Sequence, residues 1–234
     1  MRLNFNMIDE SLPINGITGL VIENKIVFSK LVQSLYDYTP NNHDIKLFND
    51  KYESLKLDEL VVITDILGYD VNSAAVIKLL YSDLENQIAD NPELHTEIED
   101  TLGKIVSLIV KETLDFEPDL HFSELTMQKI FKALDIKIET SNLTIFERTS
   151  DIIRVFKYLR KKKLLVIINL GTYLSHQQIL ETIEFASLQN INMLLIDIAV
   201  FDTPKNLTQY VMDNDFVVMK RNTATVIKTP LLHH

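Results

Sequence analysis

The chain has 234 residues, of which 46% are hydrophobic and 24% are charged, so it can bury a sizeable core in one large domain or two modest ones. It contains no cysteine, which excludes disulfides, thiolate metal sites and a cysteine nucleophile and fits a reducing cytoplasm. The formal net charge of −10 argues against a polyanionic partner unless lysines are concentrated locally. The first ten residues lack the long apolar stretch of a signal peptide, and no apolar run reaches membrane-spanning length. We therefore expect a soluble cytoplasmic protein.

Short apolar runs rich in Val, Ile and Leu occur near both ends of the chain and predict strands buried on both faces of a sheet. Helical patterns at 27–38, 175–188 and 206–213 follow the first, third and fourth of these runs. Because strands alternate with helices, we expect a parallel α/β sheet. The predicted strands are ITGLVIE (17–23), ELVVITD (59–65), KLLVIIN (163–169), NMLLIDI (192–198) and DFVVMK (215–220).

The middle of the chain, from Ser73 to about Arg160, has apolar residues at every third or fourth position, which is typical of helices. The economical prediction is an α/β head formed by both ends of the chain, with a helical domain inserted between them. The predicted boundaries are 1–72 and 161–222 for the head, 73–160 for an α-helical leg domain, and 223–234 for a tail.

Motifs for phosphate binding or catalysis are missing from the sequence. The turn after the first long strand, Glu23-Asn24-Lys25, contains no glycine, and no GxxxxGK[ST] motif occurs. Gly171 lies between a strand and a helix, where a tight turn is favoured over a phosphate cradle. There is no GxSxG or HExxH motif, and the histidines have no metal-ligand spacing. We therefore expect that the protein is not an enzyme.

The segment ETLDFEPDLHFSE (112–124) carries five carboxylates and neither lysine nor arginine. An EF-hand is excluded, because its position six would be Leu120 instead of Gly and its position twelve Thr126 instead of Glu. Two interpretations stay open from the residues alone: a solvated acidic loop, or a calcium site. Composition alone favours the solvated loop, but interleaved Leu and Phe side chains weaken that interpretation, because they would draw the carboxylates toward a core where a cation is needed. The candidate ligands are Glu112, Asp115, Glu117, Asp119 and Glu124.

Lysines outside the predicted buried strands form either a solvated surface or a contact surface for DNA phosphates. The densest basic run, RKKK (160–163), ends a predicted helix, so we expect it to complement the helix C-terminus. From the residues alone, a solvated surface is favoured over DNA binding for Lys25, Lys51, Lys56, Lys129, Lys132 and Lys137.

Three long stretches resemble the Csn2 family, the small accessory protein of type II-A CRISPR adaptation modules. They are VITDILGYDVNSAAVIKLLYSDLE (62–85), IFKALDIKIET (130–140) and FKYLRKKKLLVIINLGTYLS (156–175). MRLNFNMIDE at the start also fits, so the likeness runs from residue 1 to about residue 220. The resemblance implies a head like that of a P-loop hydrolase without its phosphate loop, and a helical leg. It also implies a homotetrameric ring, held by calcium, whose lysine-lined channel binds double-stranded DNA.

The resemblance therefore predicts a calcium-dependent, ring-forming protein that binds DNA ends without sequence preference during CRISPR spacer acquisition, a step of antiviral defence. On this view, Ca²⁺ binds the five carboxylates and DNA contacts the six lysines. The expected protein partners are the spacer integrase and the type II effector nuclease, and no membrane is involved. Two alternatives stay open: a degenerate nucleotide-dependent enzyme, and a pure scaffold for the adaptation complex.

Overall fold

The computed structural model describes residues 1–114, 118, 120–140, 144–159, 161–201, 204 and 207–221. Its contacts divide the chain into two compact units. The first, which we call the α/β unit, comprises Met1–Asp70 and Thr140–His234, and the second, the helical unit, comprises Val71–Glu139. Among the described residues, none of the helices has the length and apolar character needed to span a bilayer.

The strands in chain order are β1 (Arg2–Phe5), β2 (Leu12–Pro13), β3 (Ile17–Ile22), β4 (Ile45–Phe48), β5 (Leu60–Ile63), β6 (Leu164–Ile168), β7 (Met193–Asp197), β8 (Thr208–Met212) and β9 (Val218–Arg221). The helices are α1 (Lys25–Tyr36), α2 (Ala74–Ala89), α3 (Pro92–Thr113), α4 (Met127–Ala133), α5 (Ile145–Tyr158), α6 (Leu170–Tyr173) and α7 (His176–Leu188). A 3-10 turn spans Leu57–Glu59.

A six-stranded sheet of order β5-β6-β7-β3-β8-β9 forms the framework of the α/β unit. All of its pairings are parallel except that of β9 with β8. Every residue of β3, β6 and β7 is buried, as expected for strands covered on both faces. The predicted α/β class, a mostly parallel sheet combined with helices, is confirmed.

Two predicted elements near the end of the chain differ from the structure. The segment 206–213, predicted as a helix, contains strand β8, because its residues pair in parallel register with β3 from Thr18↔Thr208 to Ile22↔Met212. This pairing overrides a weak helical pattern. The run at 215–220, predicted as a doubly buried strand, overlaps β9, an antiparallel edge strand that is mostly exposed.

A second sheet, which the sequence pattern did not indicate, has three antiparallel strands in the order β2-β1-β4. Its apolar side chains join those of α1 and the large sheet in one core cluster. Tyr38 lies in this cluster with 1% of its surface exposed, and its hydroxyl donates to the carbonyl oxygen of Leu55 at 2.8 Å. The small sheet therefore shares one hydrophobic core with α1 and the large sheet.

Helix α5 belongs to the α/β unit, so the helical unit ends at Glu139 and not at residue 160, where the predicted leg domain ended. The reason is its packing. Ile152, Ile153 and Phe156 are buried, and the Arg154 guanidinium lies 5.4 Å from the centroid of the Phe185 ring on α7. A helical period alone does not reveal which unit a helix packs against.

The helical unit consists of α2, α3 and α4, and Tyr81 holds its core. Its ring meets that of Phe131 edge to face, with the centroids 5.5 Å apart. Its hydroxyl lies within hydrogen-bond distance of the carbonyl oxygens of Phe131 and Ile136, at 3.2 and 3.3 Å. The Asn72 side chain exchanges two hydrogen bonds with the backbone of Ile138, which fastens the ends of this unit together.

We expect Tyr38→Phe to lower the free energy of unfolding by about 1–2 kcal/mol, because the buried carbonyl of Leu55 loses its donor. Tyr36→Phe is the matched control, since Tyr36 is 73% exposed. Urea unfolding monitored by circular dichroism measures both. Equal stabilities for the two variants would contradict this account of Tyr38.

Candidate functional site

The turn between β3 and α1 is where an α/β protein of this kind would bind a phosphate, because the free N–H groups of the helix point toward it. Here a side chain of the protein occupies that position. The Asn24 Oδ1 atom accepts hydrogen bonds from the backbone N–H groups of Ile26 at 3.0 Å and Val27 at 3.3 Å. Two of the donors that a phosphate would need are therefore already satisfied.

The turn between β6 and α6 is closed in a similar way by a buried carboxylate. Asp197, at the end of β7, is 3% exposed, and its Oδ2 atom accepts from the backbone N–H of Gly171 at 2.8 Å. Its Oδ1 atom accepts from the backbone N–H of Ile198 at 3.2 Å. A Cβ atom at position 171 would lie 3.0 Å from Oδ2, so glycine permits this close approach. The interpretation of Gly171 as a turn residue agrees with this geometry.

Burial raises the pKa of Asp197 above 3.8, although the two N–H donors act in the opposite direction. The sequence analysis missed this residue. An Asp directly after an apolar strand was the available indication, but its partner Gly171 is 26 positions away along the chain.

The opposite edge of the sheet, where the parallel strands begin, is basic. Lys163, just before β6, forms an ion pair with Glu59, just before β5. Lys162 donates from Nζ to the carbonyl oxygen of Leu60 at 2.9 Å. The hydrogen bond from Lys163 holds the pKa of Glu59 below its usual value, and burial lowers the pKa of Lys162. These two lysines therefore connect neighbouring strands instead of complementing the end of a helix.

All six lysines predicted to bind DNA are exposed. Lys25, Lys51 and Lys56 belong to the α/β unit, and the other three belong to the helical unit. The structure therefore shows both sets as accessible, and their contact with DNA stays a prediction.

The three lysines of the helical unit differ in their partners. Lys129 donates from Nζ to Ser123 Oγ at 3.0 Å and to the carbonyl oxygen of Glu124. Lys137 pairs with Asp135 at 2.7 Å. Among the described residues, the ammonium group of Lys132 has neither a hydrogen bond nor an ion pair. Lys132 is therefore the most available of the three.

Two of the five predicted calcium ligands fall within the described residues. Glu112 lies in the last turn of α3 and Glu124 lies in the irregular segment before α4, and both are exposed. Asp115, Glu117 and Asp119 lie outside the described residues. Within the described ranges, no group of three or more His, Asp or Glu side chains could hold a metal ion. The described residues by themselves do not form a calcium site, so the ligand set stays a prediction.

The argument that apolar residues draw this acidic segment into the core is wrong for its described members. Leu114 is 76% exposed, Leu120 is 48% exposed and Phe122 is 44% exposed. A sequence of alternating acidic and apolar residues shows no burial by itself, because burial depends on whether a neighbouring element supplies a partner surface.

Because the raised pKa of Asp197 favours its neutral form in the folded state, its contribution to stability is present at low pH and is lost as pH rises through the folded-state pKa. We therefore expect the stability of Asp197→Asn, relative to the native chain, to increase between pH 4 and pH 7. Urea unfolding across this range measures the difference, with Asp215→Asn at an exposed turn as the control. A difference that is independent of pH would contradict the assignment.

Comparisons with known proteins identify the family. The family model for the CRISPR-associated protein Cas_Csn2 matches residues 36–216. The CRISPR-associated protein Csn2 of Streptococcus agalactiae is 41% identical over 223 residues, which cover 95% of this chain and 99% of that protein. The CRISPR-associated protein Csn2 of Enterococcus faecalis is 44% identical over 216 residues, which cover 92% of this chain and 97% of that protein.

A comparison of structures supports the fold. The crystal structure of Stu0660 of Streptococcus thermophilus aligns with a TM-score of 0.56 and 11% identity, covering 90% of this chain and 74% of that chain. At this identity the likeness concerns the fold alone. The sequence matches extend over nearly the whole chain, including the strands of the large sheet, and the chain therefore belongs to the Csn2 family of CRISPR-associated proteins.

Proposed function

We propose that this chain is a non-enzymatic, calcium-dependent, ring-forming protein that binds double-stranded DNA without sequence preference and acts in CRISPR spacer acquisition. Family membership carries the proposal, because relatives that are 41% and 44% identical over nearly the whole chain are CRISPR-associated Csn2 proteins. The spacer integrase and the type II effector nuclease are the proposed protein partners.

The closed strand–helix turns support the non-enzymatic part of the proposal. A P-loop hydrolase directs the backbone N–H groups of a strand–helix turn at phosphates, but here Asn24 and Asp197 accept from backbone N–H groups at two such turns. This argues against the degenerate nucleotide-dependent enzyme, which would require at least one open turn.

Exposed lysines support binding to the DNA backbone. Lysine is a flexible point charge that neutralises phosphates without reading base edges, which suits binding without sequence preference. The net charge of −10 on each chain would make a tetramer repel DNA. The acidic residues must therefore be kept away from the DNA-binding surface or neutralised. Calcium bound by Glu112, Asp115, Glu117, Asp119 and Glu124 would supply this neutralisation.

Helix α3 supports the homotetramer. It is 22 residues long, about 33 Å, and none of its residues is buried in the single chain. Ile105 is 46% exposed, Leu108 is 66% exposed and Ile109 is 51% exposed, so apolar side chains face solvent within one turn of the helix. An exposed apolar surface of this kind is typical of an interface between subunits, and closed symmetry is the usual form of a homo-oligomer.

We expect Lys132→Glu to weaken binding to all duplexes about equally. We also expect it to reduce the slope of log affinity against log salt concentration by about one for each Lys132 that contacts a phosphate. Lys104→Glu, in α3 of the same unit, is the matched charge-reversal control. Fluorescence anisotropy with duplexes of two sequences at several salt concentrations measures both effects. An affinity that does not depend on salt would contradict the lysine contacts.

Two further outcomes bear on the same proposal. A closed ring admits linear ends more readily than covalently closed circles, so equal association rates for linear and circular duplexes would contradict threading. Complete lack of DNA affinity would instead favour the scaffold alternative.

We expect Ca²⁺ to stabilise a tetramer and Glu112→Gln to weaken it, because one of the proposed oxygen ligands loses its charge. Glu97→Gln, also exposed on α3, is the matched control. Native mass spectrometry with calcium and with a chelator measures the assembly, and calorimetry measures calcium binding. A monomer of about 27 kDa in the presence of calcium would contradict the ring. No calorimetric calcium binding at millimolar concentration would contradict the metal site.

A further inference from the structure

A pocket of about 390 Å³ lies at the edge of the large sheet where β6 and β7 begin, entirely within the α/β unit. It is bounded by the end of α5, the end of α7 and the short segments that lead into the two strands. The lining residues that carry polar side chains are Asn49, Lys157, Lys162, Lys163, Gln189, Asn190 and Asn192.

The charged side chains that line this pocket are all positive. Three lysines line it, and none of the described lining residues carries a carboxylate. In a chain with a net charge of −10, such a local excess of positive charge is unusual. The four carboxamide side chains add neutral hydrogen-bond donors and acceptors.

The lysines are held in place but are only partly neutralised. Lys157 donates from Nζ to Gln189 Oε1 at 2.9 Å, and Lys162 donates to the carbonyl oxygen of Leu60 at 2.9 Å, so both of these acceptors are neutral. Only Lys163 has a carboxylate partner, Glu59, among the described ion pairs. Because an ammonium group has three donors, each lysine keeps hydrogens for a ligand.

Lys162 carries an energetic cost that an anion would relieve. Burial lowers its pKa, and this effect outweighs the opposing influence of Asp58. A half-buried ammonium group without a carboxylate partner is costly in the free chain, and a bound anion would favour its charged form. The structural role of Lys162, its bond to Leu60, uses one donor and supplies no counter-charge.

We propose that this pocket binds a phosphate monoester through Lys157, Lys162 and Lys163. A monoester carries close to two negative charges at neutral pH and three strong acceptor oxygens, which suits a pocket lined by several ammonium groups better than a carboxylate does. The volume lies at the small end of ligand pockets, so it suits one terminal phosphate with its sugar and not a stretch of duplex.

Two molecules present this chemistry: the 5′-phosphate at a DNA end, and a free nucleoside monophosphate. The first rests on the proposed DNA binding, and the second does not. At a DNA end, the pocket would add a preference for phosphorylated termini to contacts that are otherwise independent of sequence.

The experiment compares the native chain with Lys157→Gln and Lys162→Gln, with Lys104→Gln as the matched control. Calorimetry measures the binding of AMP and of adenosine, and anisotropy measures one linear duplex with and without 5′-phosphates. Among the described residues, the Lys157 ammonium group bonds only to the side chain of Gln189, the residue after α7, so its substitution spares the strand contacts of Lys162 and Lys163. Urea unfolding verifies that each variant is folded.

We expect AMP to bind more tightly than adenosine, or the 5′-phosphorylated duplex to bind more tightly than the unphosphorylated one. In both folded variants we expect this phosphate preference to fall about tenfold, because each variant loses one charge-assisted hydrogen bond to the phosphate. In the Lys104→Gln control we expect the preference to persist. A nucleotide preference without a duplex preference identifies the free nucleotide as the ligand, and the reverse identifies the DNA end.

The proposal is overturned if neither phosphate preference exists, or if a preference exists and both lysine variants retain it. Failure of this proposal is distinguishable from failure of DNA binding. If the phosphate pocket fails and DNA binding holds, the duplex still binds with salt-dependent affinity, with or without its 5′-phosphate. If DNA binding fails, neither duplex binds, and only the AMP measurement decides whether the pocket takes a phosphate.

Discussion

The parallel pairing of β3 with β7 on one side and β8 on the other is the constraint on which the rest of the α/β unit depends. It joins residues 17–22 to segments about 180 residues further along the chain. Gly19 makes the close packing possible at this point. A Cβ atom there would lie 3.1 Å from the Phe201 ring and 3.3 Å from Gln209 Cγ. Gln209 is buried and donates to the carbonyl oxygen of Phe201, so its amide group is satisfied inside the core.

A parallel sheet leaves polar groups at both of its ends, and this chain satisfies them differently at each end. At the carboxyl ends of the strands, Asn24 and Asp197 accept from backbone N–H groups that could otherwise receive a ligand. At the amino ends, Lys162 donates to a backbone carbonyl and Lys163 pairs with Glu59. The usual ligand edge is thus closed by the protein's own side chains, while the opposite edge carries positive charge.

This arrangement leaves local positive charge on an acidic chain of the Csn2 family, which the proposed DNA binding requires. Nucleic acid responds to local charge more than to the total, since salt at about 0.1 M largely screens phosphates from exposed carboxylates that lie more than about 10 Å away. In the basic pocket beside α5, three lysines have one carboxylate partner, Glu59, and Lys132 has none among the described residues. Both the pocket and Lys132 lie outside the acidic segment 112–124.

The amino-acid sequence by itself determined the class of fold, because short apolar runs rich in Val and Ile, such as KLLVIIN, suit strands buried on both faces of a sheet, and because capping residues such as Ser175 mark the helices that follow. It also excluded a phosphate loop, and its likeness to the Csn2 family was sufficient to indicate the family. These features are local in the chain, so pattern and propensity were enough to identify them.

Only the tertiary structure decided the features that depend on distant partners. Segment 208–212 is a strand because β3 pairs with it, and α5 belongs to the α/β unit because α7 lies beside it. Asp197 closes a turn through Gly171, and Lys162 bonds to a strand 102 positions earlier in the chain. A pattern of residues records which side chains are available, but the fold determines which of them meet, because contacts between remote segments form only when the whole core assembles.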